Sequence, residues 1–275
     1  MRSGSSSASP CTADNRQAAG RETTYRRFWT EVGDTFPDLG GARSTEFYRR
    51  DEERLLTEQL APLRRYRLLK TDLWDEAKNT RILGWAAAQG AAVHGIDISE
   101  PIARAARVAD ARIHATVADC RRLPFGDESF DAVYSMGTIE HVTDSATTVS
   151  EMWRVLKPGG RALVGVPNRW DPFLRPLLVT VLSAVRLYAY GYEKSYSRRA
   201  LRSMVESRGF VVVAETAILF IPGWIRMLDL ACHAYAPALR PIGEALVRPF
   251  EWLDEHLPAV RRHGYLIVAV CEKPR

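Results

Sequence analysis

"AVHGIDISEPIARAARVADARIHATVAD" (residues 92–119) decides the fold. It reads as a strand over 92–97, a helix entered through Ser99 with Pro101 in its first turn, and a second strand over 113–119. The alternation continues downstream with strand "FDAVYSM" (130–136), helix "SATTVSEMWRVL" (145–156), turn "KPGG" (157–160) and strand "RALVGVP" (161–167). Upstream lie a short strand "YRLLK" (66–70) and an alanine-rich helix "RILGWAAAQGA" (81–91), packed by Ile82, Leu83, Trp85 and Ala88 and closed by Gly90. Strands alternating with helices of roughly 10–15 residues imply βαβ units and a mostly parallel, doubly wound α/β sheet.

After Pro167 the rhythm breaks. Insertions at 168–197 and 220–262 are helical and rich in aromatics, including Trp170, Phe173, Tyr188, Tyr190, Phe220, Trp224 and Trp252. Between them come a helix "SRRALRSMVESRG" (197–209) and a strand "FVVVAETAIL" (210–219); a last strand "YLIVAVCEK" (265–273) ends the pattern. The aromatics can close a lid over a dry pocket or simply pack on one another. Within "FLRPLLVTVLSAVRLYAY" (173–190) the apolar-to-neutral run between Arg175 and Arg186 is ten residues long. That is short of the ~20 a bilayer span needs, so this is a buried or interfacial helix.

The expected organisation is a disordered tail (1–20), an N-terminal helical cap (21–65) and one α/β domain (66–275). The tail is small and polar with no apolar core, unlike a secretory signal. In the cap, "STEFYRRDEERLLTEQLAPLRRY" (44–66) has helical spacing, with Ser44 or Thr45 as the N-cap and Pro62 at the end.

The chain has 275 residues, 46% of them hydrophobic, enough for a real core, and a net charge of +5 spread along its length. The mild excess suits a solvated basic surface and permits contact with an anionic partner or a membrane surface. No basic block or RNA-binding signature suggests nucleic acid. Cys11, Cys120, Cys232 and Cys271 have neither metal-ligand nor disulfide-framework spacing, so no metal is expected and a reduced, cytoplasmic setting fits.

Asp97 ends its strand at the carboxyl edge, where open α/β sheets place ligands, and a carboxylate there can accept both hydroxyls of a ribose. It could instead cap the following helix, a role Ser99 already supplies. Asp119 ends the next strand and can accept an adenine amine, with the Cys120 N–H facing a ring nitrogen; the alternative is a surface turn acid. His141, in "TIEHVTD" (138–144), suits a general base beside Glu140, or else caps and packs.

The string "HGIDIS…VADCRRLPFGDESFDAVYSMGTIEHVTD…EMWRVLKPGGRALVGVPN" (about 94–168) resembles the class I S-adenosylmethionine-dependent methyltransferases, especially the ubiquinone and menaquinone biosynthesis group. The resemblance implies a Rossmann-like seven-stranded sheet with the last strand antiparallel, here with a helical N-terminal cap and C-terminal insertions. It implies S-adenosyl-L-methionine as cofactor, with Asp97 and Ile98 at the ribose, Asp119 and Cys120 at the adenine, and Ser135, Met136 and Gly137 at the methionine end. The expected reaction is methyl transfer to a small, hydrophobic or aromatic acceptor. The runner-up is a non-catalytic relative that keeps the fold as a binding or scaffold module.

One segment departs from the family. Where relatives carry a glycine-rich turn, "LLKTDLWDEAKNTRIL" (68–83) has no glycine, and none occurs between Gly41 and Gly84. Glycines there let backbone N–H groups approach the methionine moiety. Either side chains rebuild the site, with Lys70, Lys78 or Asn79 meeting the carboxylate, Asp72, Asp75 or Glu76 the cationic groups, and Thr71 beside them, or the segment is an exposed helical turn capped by Thr71 or Asp72.

Overall fold

In the computed structural model, which describes residues 24–275, the buried strand "RLLK" begins the sheet as β1 (Arg67–Lys70). Two helices precede it, α1 (24–35) and α2 (Arg43–Leu60). The expected tail, with Cys11, lies outside the described residues.

From β1 the chain runs through α3 (Trp74–Lys78), α4 (Ile82–Ala88), β2 (Ala92–Asp97), α5 (Glu100–Ala109), β3 (His114–Val117), β4 (Phe130–Met136), α6 (Ser145–Val155) and β5 (Leu156–Pro167). It continues with α7 (Arg175–Ala184), α8 (Arg198–Glu206), β6 (Val211–Ile218), α9 (Gly223–Tyr235), α10 (Arg240–His256) and β7 (Leu266–Glu272). The seven strands lie in the order β3-β2-β1-β4-β5-β7-β6; β7 is antiparallel to both neighbours and the other pairs are parallel. It is the seven-stranded sheet with its last strand antiparallel that the resemblance implies, and β1 next to β4 makes the switch point at which open α/β sheets bind ligands.

Near-continuous burial of β4 and β5 reflects a sheet covered on both faces. One core joins α2, α4 and α5 to the sheet; the other packs α6 and α8 on its opposite face. β5 begins at Leu156, so "KPGG" is part of the strand rather than a separate turn.

Three local expectations change. Ser44 and Thr45 are buried inside α2, whose N-cap is Ala42 with no side-chain cap bond; the Ser44 N–H is instead held by Asp229 Oδ2 of α9 at 2.8 Å. Ser99 heads α5, but its hydroxyl accepts no capping hydrogen bond from the first turn. The 173–190 stretch is not buried: α7 buries only Arg175.

Candidate active site at the carboxyl edge

Where a glycine-rich turn was expected, the chain inserts the short helix α3 between β1 and α4. Lys70 at the end of β1 is fully buried, and its Nζ donates to Asp72 Oδ1 and Asp75 Oδ2, each at 2.9 Å. Asp75 Oδ1 accepts from Asn79 Nδ2 at 2.8 Å, and Asn79 Oδ1 accepts the Thr45 hydroxyl of α2 at 2.9 Å. Buried Glu52 of α2 accepts the Tyr134 hydroxyl of β4 at 2.7 Å. Burial opposes the Lys70 charge, yet Asp72 and Asp75 hold its pKa well above the usual lysine value. The loop is thus an ion-pair cluster tied to the N-terminal cap, and a Lys70 so committed is not part of the cavity wall.

A close backbone approach is still made. The Leu73 N–H reaches Asp97 Oδ2 at 3.0 Å, while Oδ1 takes the Ser99 N–H at 2.8 Å. The glycine that permits it lies on the neighbouring strand, since a Cβ on Gly95 would stand 2.2 Å from Leu73 Cδ2. The left-handed backbone conformation, usually glycine's, falls to Arg81 at φ 57°, anchored to Asp38 at 2.7 Å.

A cavity of about 430 Å³ opens over this edge. Its wall includes Thr71, Asp72, Asn79, Asp97, Ile98, Asp119, Cys120, Met136, Glu140 and His141; Ser135 lies behind, accepting the Thr71 hydroxyl at 2.8 Å. Thr138, which sequence reasoning did not single out, donates to Asp72 Oδ2 at 2.6 Å and brings β4's exit loop to the rebuilt turn. Lys78 donates to the Phe36 carbonyl at 2.8 Å, and Glu76 is buried with both oxygens on the Leu83 N–H at 3.1 Å. Neither lines the cavity.

The carboxyls differ in charge. Burial pushes Asp97 up to about 7, outweighing its two N–H donors. Burial would also raise Asp119, but the Arg121 guanidinium, paired with it at 2.5 Å, holds it below the usual range. Burial and then the Glu193 charge push the Glu140 carboxyl well above the usual carboxylate range. The His141 Nδ1 lies 2.8 Å from the Tyr192 carbonyl, which can only accept, so Nδ1 carries the proton and Nε2 keeps its lone pair. Burial lowers the His141 pKa, favouring that neutral ring.

Aromatics complete the walls. Phe36, Trp74 and Tyr190 form a trio with centroids 4.9, 5.3 and 5.7 Å apart, and Trp29 of α1 packs on His141 at 5.1 Å. The Arg226 guanidinium stands 5.3 Å from each of the Tyr48 and Tyr265 rings. Ser99 Oγ, Glu140 Oε2, Arg175 Nε and Arg226 Nε are buried polar atoms without a hydrogen-bond partner, and all four belong to residues lining this cavity. Such atoms are costly unless a ligand satisfies them.

Residues 77–164 match the family described as a methyltransferase domain. The demethylmenaquinone methyltransferase of Roseiflexus sp. (strain RS-1) is 40% identical over 84 residues, 30% of this chain and 35% of the relative. The chain therefore spans about a third of the length of the curated relatives it matches. Among solved structures, a possible histamine N-methyltransferase from Thermotoga maritima superposes with TM-score 0.57 at 18% identity, covering 84% of this chain and 91% of that one. The Burkholderia thailandensis 1,6-didemethyltoxoflavin-N1-methyltransferase, solved with its acceptor and S-adenosylhomocysteine, superposes with TM-score 0.55 at 13% identity, covering 99% and 94%.

Proposed function

We propose that this chain, a class I methyltransferase in its fold and in its central segment, transfers a methyl group from S-adenosylmethionine to a small, apolar, ring-bearing acceptor. One observation carries the reading: Asp97, Asp119 and the rebuilt 71–79 loop converge on a single cavity that also holds orphaned buried polar atoms and an aromatic wall. When bound, the cofactor supplies an electrophilic methyl on a sulfonium. Asp97 would accept the ribose hydroxyls and Asp119 the adenine amine. Asp72 suits the cationic methionine end, with the Thr71 and Thr138 hydroxyls beside it. Lys70 and Lys78 already donate elsewhere and do not line the cavity, so its unsatisfied donors, Ser99 Oγ among them, are better suited to the methionine carboxylate.

The Phe36–Trp74–Tyr190 trio suits a planar acceptor, and the matching demethylmenaquinone methyltransferases point to a quinone-type ring. His141 Nε2 can take a proton from an acceptor hydroxyl, with Glu140 beside it in the cavity wall. The remaining work is alignment in a site shielded from water.

The test is calorimetric titration with S-adenosylmethionine and S-adenosylhomocysteine, on the intact chain and on Asp97→Ala. Binding is expected, and the variant should lose about 1.5–3 kcal/mol, the usual worth of a charged hydrogen bond. Equal affinity in the variant would remove Asp97 from the site. If neither ligand binds, the fold serves as a binding or scaffold module instead.

A further inference from the structure

We propose that the two helical insertions dock the protein on an anionic lipid surface, with the mouth of the cavity facing the membrane. This does not depend on what the cavity binds. The helices of the insertions bury charged side chains while leaving large apolar ones exposed. On α10, Ile242, Leu246 and Trp252 face solvent, Ile242 at 57% exposure, while Glu251 and Asp254 are buried on the opposite side, ion-paired to Arg43, Arg50 and Arg54 of α2. On α9, Trp224, Leu228 and Tyr235 face outward while Asp229 is buried under Ser44. On α7 and at its C-cap, Leu177, Val181 and Val185 recur at helical spacing and are all more than half exposed. A surface helix ordinarily turns this pattern inward.

The three helices adjoin, α7 on α9 and α9 on α10. Leu187, Met227 and Tyr235 belong both to this exposed apolar surface and to the cavity wall, so the cavity opens onto it; Tyr235 is 75% exposed. A contiguous apolar surface of this kind marks an interaction site.

Charge selects lipid as the occupant. Arg169, Arg186, Arg240 and Arg248 are exposed on the same insertions, and among the described residues none has a carboxylate within ion-pair distance. Arginines beside an apolar face suit anionic headgroups, whereas on a two-fold interface with a second copy they would face like charges. Among the described residues no helix is long and apolar enough to cross a membrane, which leaves helices lying in the interface plane.

The experiment is cosedimentation of the full chain with vesicles of phosphatidylcholine alone and of equal phosphatidylcholine and phosphatidylglycerol. The intact chain should bind the mixed vesicles. Leu177→Asp/Val181→Asp should weaken that partition roughly a hundredfold, because two apolar side chains no longer enter the interface. Arg186→Gln/Arg248→Gln should weaken it by about thirtyfold and lose the preference for anionic vesicles. Those arginines are exposed, so this variant keeps the test decisive if the double aspartate fails to fold. An intact chain left in the supernatant with both vesicles would overturn the proposal. So would a folded aspartate variant or an arginine variant that binds as well as the intact chain. A concentration-dependent dimer seen by light scattering without vesicle binding would assign the face to a second copy.

Discussion

Replacing Lys70 with Met tests whether a buried cation does the structural work of the missing glycines. The side chain has no exposed surface, and its ammonium alone bridges Asp72 and Asp75, which are largely buried and lie near Glu52 in the charge cluster. Met has nearly the same length, so little packing is lost and the effect is electrostatic. Removing one partner of a buried ion pair typically costs about 3–5 kcal/mol. At roughly 2–4 °C per kcal/mol for a domain of this size, the melting temperature should fall by about 10 °C. Glu52 and Glu76, raised by burial and held down in part by the Lys70 charge, would rise further without it, so the folded variant binds more protons than its unfolded chain and gains stability as pH falls. Urea unfolding at pH 8 and pH 5.5 should therefore show a larger deficit at the higher pH, and Lys70→Met/Asp75→Asn should recover a good part of it. A deficit below about 1 kcal/mol, or one independent of pH, would refute the neutralising role.

Gly95→Ala should lower stability by about 1–3 kcal/mol by overpacking Leu73, and should also weaken S-adenosylmethionine binding as the Leu73 N–H leaves Asp97; an unchanged melting temperature would show that the loop yields freely. His141→Asn should leave cofactor affinity intact while turnover of a hydroxyl-bearing acceptor falls about 10²–10⁴-fold, and equal turnover would remove the base. Asp51, Glu76 and Asp97 are each raised by burial to about 7, so the stability they contribute is present at acidic pH and is lost as pH rises through 7. Melting temperatures between pH 5 and 8 should fall with pH over that window, whereas cofactor binding to ionised Asp97 should strengthen.

Much of this was legible in the chain itself. Burial on both faces makes the central strands continuous apolar runs, so β2 and β4 have the limits their sequences suggest. Acids at strand ends, Asp97 and Asp119, reach one edge because a parallel sheet brings every carboxyl end to the same side. Of the insertion aromatics, Tyr188 and Tyr190 line the cavity, beside Trp74 of α3.

The fate of the charges was not legible. From sequence, Lys70 is a cation beside a binding loop, and only the folded chain shows it enclosed between Asp72 and Asp75. Asp229 holds the N-terminus of α2 from 185 residues away, and Glu251 pairs with Arg43 from 208. Periodicity reports which side of a helix is apolar but not which side meets the core: on α10 Ile242, Leu246 and Trp252 face outward while Val247 is buried beside Glu251 and Asp254. Local spacing determines strands, helices and their order, because backbone preference and side-chain alternation are short-range. Whether a buried carboxylate is neutralised, or an apolar stripe covered, depends on partners that only tertiary packing brings within a few ångströms, and here those partners decide both the rebuilt loop and the outward-facing lid.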